Sequence, residues 1–473
     1  MPNGPLWGQE GNTEIQVQGG RVKRFMNMHF SQSLMIFLAL WPVWWTLGVE
    51  QLVPPLWIGF EAIRYLVRIR GKLSISAPVV WAGLLAVWWL VPLMWLAPQY
   101  YGIFLKESAT AWSQALFLLA ISAQVRTRKG WEQVLRALCV FATLVTIGGL
   151  IYALGLWRGE ITSVLGWVLP SSVESSTFFS SISDRSLGIV SLWGLLPWRL
   201  RSLFLHPNSL SMMALLLIPL LSWRAAVVTS WARVAHILVV LGLVVCLFGT
   251  ESRISYVSFA AGLVAFALYA LSRLGWRRFL LVSGFLLALT GILVTRFVDV
   301  DRVMESIRDL LAAWRPGSLI VRMKVYRATF EMLPQHLIAG WGVQIQLPDM
   351  PSSFSAGSHS SVLAMLFRHG VVGLALYIGL WASIWREVFR GLRQRALPKD
   401  ARWFWVAAAI ALLCFNVREL ADTWWWDQTL TMTVWPVWGL VITAARVGLR
   451  GGAASAARAE NPGSQSAGCT ADL

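Results

Sequence analysis

The chain has 473 residues, of which 57% are hydrophobic and only 13% charged, whereas a soluble domain carries roughly 25% charged residues, so disorder and an ordinary soluble enzyme are both excluded. Its formal charge of +17 comes from 40 Lys and Arg, 34 of them arginine, against 23 Asp and Glu; these basic residues are scattered between apolar runs without aromatic interleaving, which fits a membrane orientation signal and excludes a nucleic-acid interface. Apolar runs close to the ~20 residues of a bilayer span recur from Ser31 to Thr443, and the expected fold is all-α, a polytopic integral membrane protein.

Residues 1–30 read as a cytoplasmic N-terminus, because Arg21, Lys23 and Arg24 precede an uncharged run, Ser31–Val49, too long for a typical cleaved signal. Further spans are expected near Ser76–Leu96, Tyr101–Ala123, Val134–Leu156, Asn208–Trp223, Ala235–Thr250, Ile254–Leu271, Phe279–Thr295, Ser360–Trp385, Trp403–Val417 and Thr429–Thr443. The run Leu52–Val67 is interrupted by Glu61 and Arg64, yet a span there is needed to keep the later basic loops on one side. About twelve spans follow, forming one membrane domain over residues 31–448. Short cytoplasmic connections then carry Arg64 to Lys72, Arg126 to Lys129, Arg224 and Arg233, Arg273 to Arg278, and Arg386 to Arg402. The two long connections, 157–205 and 296–358, fall outside, and function is expected there. The tail 449–473, rich in Gly, Ala and Ser, reads as disordered and cytoplasmic. Cys139, Cys246, Cys414 and Cys469 have no spacing that suggests disulfides or zinc.

The external loops differ. Ser171–Ser186 is serine-rich and suits a mobile lid or a surface loop. From Asp301 the residues Val303, Met304, Ile307, Leu310, Leu311 and Trp314 recur at helical spacing; Pro316-Gly317 stops that helix and a second is expected from Leu319 to Leu333. This periplasmic helical hairpin between two late spans could cap a cavity. The same topology leaves Arg199, Arg201, Arg253, Arg302, Arg308, Arg315, Arg322 and Arg327 on the external side, against the positive-inside bias. Charges at span ends call for an anionic ligand or a paired structural acid.

Among residues able to carry chemistry, His359 stands before a span within Gly357-Ser358-His359-Ser360-Ser361, where it can titrate near neutral pH or merely cap the helix. His206, His236, His336 and His369 suit structural roles. Arg253, between two adjacent apolar runs, can fork onto two phosphate oxygens or pair with Glu251. Arg322, Lys324 and Arg327 form a further basic cluster, with lipid-headgroup contact as the simpler reading. Asp299-Val300-Asp301 resembles a two-carboxylate metal pattern only weakly, since Asp301 also suits a helix N-cap.

These pieces together resemble the O-antigen ligases and polymerases. The run Arg199-Leu200-Arg201-Ser202-Leu203-Phe204-Leu205-His206-Pro207-Asn208 is similar to their arginine followed by Phe-x-x-Pro-Asn, and Ser252-Arg253 to their Ser-Arg pair. Arg322 through Pro334 to Gly340-Trp341-Gly342 resembles their arginine helix with Pro and Gly-x-Gly, and His359 to Gly373 their His-Asn segment with its later Gly-x-x-Gly. The resemblance spans about Arg199 to Leu380. Departures are Ser360 for the usual Asn, Arg368 where an acid is common, and Ser202 for Gly.

The resemblance implies an inverting, metal-independent transfer of a glycan, without cofactor, from undecaprenyl pyrophosphate to an acceptor hydroxyl on the periplasmic face of a bacterial inner membrane. It implies His359 as the base and Arg253, with Arg199 or Arg201 and Arg322, on the pyrophosphate. The acceptor is lipid A-core for a ligase, the reading preferred, and a second lipid-linked glycan for a polymerase. A lipid-linked oligosaccharide flippase is the alternative of another class; charges gathered at external ends and the lack of a visible repeat disfavour it.

Overall fold

The structure, a computed structural model, describes residues 29–68, 75–169, 183–190, 198–273, 316–347, 355–394, 397–425 and 427–448. The first expected span is two helices, α1 (Phe30–Ala39) and α2 (Trp41–Leu47), bent by 52°. Pro42 removes an N–H at the elbow, so the helical ladder cannot run through it. Trp41 Nε1 holds the bend by donating to Leu203 O at 3.1 Å.

Helix α3 (Val53–Arg68) carries the two charges that interrupt its apolar run, and both turn inward. Glu61 and Arg64 pair at 2.5 Å, and Glu61 also accepts from Ser33 Oγ of α1 at 2.6 Å. Arg64 therefore belongs to helix packing and not, as expected, to a cytoplasmic basic loop. Then come α4 (Ala77–Trp88), α5 (Tyr101–Gln124), α6 (Arg128–Ala153) and the short α7 (Val164–Val168). Strands β1 (Ile161–Thr162) and β2 (Asp184–Arg185) pair antiparallel, as do β3 (Gly188–Val190) and β4 (Trp198–Leu200). Three long helices follow the first of the expected external loops or frame the second: α8 (Pro207–Val227), α9 (Ser230–Gly249) and α10 (Arg253–Ser272).

After residue 315 the chain forms α11 (Pro316–Met332), the ribbon β5 (Ile345–Gln346) with β6 (Ser355–Ala356), α12 (Ser361–Arg393), α13 (Lys399–Glu419) and α14 (Gln428–Ala444). Pro316 opens α11 instead of standing as a break before it, as a first-turn proline can, since its missing N–H would be unsatisfied there anyway. The first helix of the expected hairpin, the span Phe279–Thr295, Asp299 and Asp301, most of the serine-rich loop and the tail lie outside the described residues. Seven described helices are long and apolar enough to cross a membrane, or eight with the bent pair as one span, fewer than the twelve expected. Helices α3 and α14, at 16 and 17 residues, are shorter than a bilayer span, and α5 is polar along one side with Glu107, Gln114 and several hydroxyls buried.

Two sets of contacts define the ends of the bundle. At one, Ser31 Oγ meets Gln133 at 2.6 Å, Arg446 meets Ser122 O at 2.9 Å, and Trp223 meets Asp400 O at 2.8 Å. At the other, Arg185 meets Glu50, Trp95 meets Gly340 O at 3.1 Å, and Arg418 meets Asn208 O at 2.7 Å. Successive long helices thus alternate in direction. In the middle stands α14, buried on every side from Gln428 to Ala444, the position expected of a helix that is apolar all round. Its Trp435 and Trp438 pack with Trp381, Phe415, Trp424 and Trp425 at ring-centroid distances of 5.8 to 6.3 Å.

Candidate active site at one end of the bundle

The expected span Ser360–Trp385 is not one continuous helix. At Gly370 the backbone of α12 leaves the helical region with φ 67° and ψ −170°. The carbonyls freed by the break accept from a second strand of chain, Trp341 N to Phe367 O at 2.9 Å and Gly342 N to Arg368 O at 2.8 Å. The freed N–H groups donate back, Val371 N to Leu337 O at 2.9 Å. No side chain fits between the two backbones, since a Cβ at Gly370 would lie 2.1 Å from Ile338 O and one at Gly340 would lie 2.2 Å from the Arg368 carbonyl carbon. The Gly340-x-Gly342 and Gly370 motifs are two halves of one joint, and it sets the first turns of α12 apart as a rigid platform.

His359 stands on that platform. Its backbone is left-handed, φ 65°, a conformation uncommon outside glycine and found where surrounding structure holds it in place. The surroundings are visible. Gly357 N donates to Thr329 Oγ1 at 2.9 Å, Tyr326 Oη donates to His359 O at 3.2 Å, and Ser361 donates to Asp422 O from both Oγ (3.0 Å) and N (3.1 Å). Ser360 Oγ caps α12 by accepting from Leu363 N at 3.3 Å, so capping is assigned to Ser360 and not to His359. The imidazole is half-buried; burial pushes its pKa below the ordinary 6.5, the Arg322 guanidinium pushes the same way, and the Asp422 carboxylate opposes them.

Among the sequence-selected arginines, Arg322 lies half-buried on α11 with Nη1 3.5 Å from Ala421 O. Lys324 and Arg327 are exposed, and Arg327 pairs with Glu331 at 2.8 Å, so the three do not act as one cluster. Arg253 is half-buried in the first turn of α10, directly after the tip Thr250-Glu251-Ser252. Arg199 is buried and clamps that tip, donating from Nε to Thr250 O at 2.9 Å with Glu251 Oε2 at 4.0 Å. Arg201 turns away, donating from Nε to Ser186 O at 2.5 Å beside Arg185 and Glu160. His359, Arg322 and Arg199 thus share one electrostatic neighbourhood, that of Asp422. Arg253 joins it through the tip that Arg199 clamps, whereas Arg201 is engaged with Ser186 O.

Sequence reasoning missed the acids and the arginine that organise this end. Arg418 is buried; its Nη2 donates to Asp422 Oδ2 at 2.5 Å and to Asn208 O at 2.7 Å, and its Nε to Ser255 Oγ at 3.2 Å. One guanidinium thereby ties α13 to the starts of α8 and α10. Asp427 caps α14 through Thr429 N at 2.9 Å and accepts from Ser209 Oγ of α8. His206 caps α8, its Nδ1 accepting from Asn208 N at 3.1 Å, within the fields of Asp422, Arg199, Asp427 and Arg418. A signal was present: Arg418 and Asp422 are four apart at the end of an apolar run, the spacing of a helical ion pair.

A bundle of long apolar helices with a histidine and several arginines gathered at one end defines a multi-pass membrane protein with a polar site where its helices terminate. The family model described as O-antigen ligase matches residues 237–378. That segment runs from α9 to the second half of α12 and contains Arg253, Arg322 and His359, while Arg199 and Arg201 precede it. The resemblance read from the sequence is thereby shown over this segment, and it supports a membrane glycan-transfer function. No curated protein matches the chain.

Proposed function

We propose that this protein moves a glycan from undecaprenyl pyrophosphate to an acceptor hydroxyl, that of lipid A-core, at the periplasmic end of the bundle. The observation that supports this reading best is His359, held in a left-handed conformation within the matched segment and flanked by Arg322 and Asp422. With its pKa lowered, the imidazole is neutral at pH 7 and able to take a proton. The acceptor hydroxyl attacks the anomeric carbon from the face opposite the leaving group and its proton passes to His359. The bond from carbon to the pyrophosphate oxygen breaks, and the released pyrophosphate gains negative charge. Guanidinium groups already fixed at that place stabilise it without reorganising. Arg253 and Arg322 are assigned this task; Arg199, whose Nε is engaged with Thr250 O, keeps its terminal nitrogens for it or acts by holding the tip, and Arg201, which turns away, acts by holding the ribbon.

The test is to incubate purified protein with undecaprenyl-pyrophosphate glycan, with and without lipid A-core, and resolve the products by gel and mass. Transfer that requires lipid A-core supports a ligase, and a ladder of longer lipid-linked glycans from donor alone supports a polymerase instead. No covalent product from active substrates rejects both and favours a transporter. His359→Ala is expected to express normally and to abolish product; near wild-type transfer would remove His359 from the mechanism.

A further inference from the structure

The end of the bundle opposite the candidate site carries a groove that glycan transfer does not use. It has a volume of about 770 Å³ and is lined by Ala382, Trp385, Arg386, Phe389, Arg390 and Arg393. All six lie on the last turns of α12, and the stretch from Ala382 to Arg393 is roughly 16 Å long. Polarity is graded along that length, from Ala382, Trp385 and Phe389 to Arg390 and Arg393 at the helix end. Arg386, Arg390 and Arg393 recur at the spacing that places side chains one above another, as do Trp385 and Phe389, whose rings stack at 5.2 Å. Trp385 is fixed by donating from Nε1 to Asn416 Oδ1 at 2.8 Å, while Phe389 is 49% exposed.

Three guanidinium groups in one row repel one another. Arg390 is paired with Glu387 at 2.8 Å, but among the described residues no acid pairs with Arg386 or Arg393. The row therefore has a surplus of positive charge beside an apolar wall, at the end of a membrane-crossing helix. That combination suits a ligand with an anionic head and hydrocarbon tails, because arginine forks onto phosphate oxygens and aromatic rings settle at headgroup depth. Each arginine near an anionic membrane surface is attracted to its headgroups.

We propose that this groove binds an anionic phospholipid, with its phosphate on Arg386 and Arg393 and its acyl chains along Phe389, Trp385 and Ala382. The inference does not depend on the chemistry at the other end of the molecule. The test is native mass spectrometry and thermal melting of the full chain, delipidated in detergent and titrated with phosphatidylglycerol, with phosphatidylcholine, or with inorganic phosphate. Retention of phosphatidylglycerol and a rise in melting temperature are expected, with neither for the other two additives. R386Q/R390Q/R393Q is expected to weaken phosphatidylglycerol binding by at least about tenfold, and R386Q/R393Q, which spares the pair with Glu387, to do nearly as much. R128Q/R273Q removes two exposed arginines near the same end and is expected to leave binding unchanged. Equal stabilisation by phosphatidylcholine or inorganic phosphate, or equal loss in R128Q/R273Q, would overturn the proposal.

Discussion

His359 is placed where two opposite charges compete over its proton. Burial and Arg322 lower its pKa and Asp422 raises it, with the net result below 6.5. A general base acts in its neutral form, so transfer is expected to be flat above that value and to fall only as pH drops through the lowered pKa. Removing the cation with Arg322→Gln should move the acid limb of kcat/KM upward, toward 6.5; a limb that stays in place or moves down would show that Arg322 does not act on this imidazole. Arg253 allows a different test at the same scale. Arg253→Lys retains the charge and loses the fork, and a fall in kcat/KM of about 100-fold is expected if two phosphate oxygens are bound together. Unchanged kinetics at limiting donor would refute that role.

At the scale of elements, the joint between residues 337–342 and 367–372 decides where His359 stands. Glycine at both Gly340 and Gly370 follows from positive φ, 77° and 67°, and from the backbone that a Cβ would strike. Gly370→Ala and Gly340→Ala are each expected to cost at least about 2 kcal/mol and to lower the melting temperature; a variant with wild-type melting would mean that the break is not required. Both glycines were visible as motifs in the sequence. The break itself was not, because the apolar pattern from Ser361 to Trp385 runs through Gly370 without a change of period, and its cause lies about thirty residues earlier in the chain. The cap of α8 illustrates the reverse. His206-Pro207-Asn208 reads as a helix start, and the imidazole, proline at the first position and the bond to Asn208 N are all there.

For the whole molecule, composition gave the class and the basic loops gave the alternation of helix direction, which the contacts at the two ends reproduce. The number of spans was less legible, since α3 and α14 lie on expected spans but are shorter than a bilayer crossing, and α5 carries buried polar groups along one side. Glu61 with Arg64, Glu50 with Arg185 and Glu107 with Arg368 are buried pairs, and a one-dimensional hydropathy pattern cannot distinguish an inward pair from an outward one. The acids at Asp422 and Asp427 were overlooked for a related reason: they act only where α8, α13 and α14 meet. Glu107→Gln leaves the Arg368 guanidinium without its counter-charge and is expected to cost about 3–5 kcal/mol. Glu331→Gln, which breaks the exposed pair with Arg327, is expected to change stability by less than about 1 kcal/mol. Equal melting temperatures for the two variants would contradict the inward placement of Glu107.

Helix α14 touches protein on all its faces and follows every other described helix in the chain. Because synthesis runs from the N-terminus at about 5–20 residues per second, the helices around it emerge while the space that it fills is still vacant. The rings of Trp381, Phe415 and Trp424 then have no Trp435 or Trp438 to rest against. Packing of these rings is therefore completed only once α14 has been made, and a chain that stalls before Gln428 is left with Trp381, Phe415 and Trp424 unsupported.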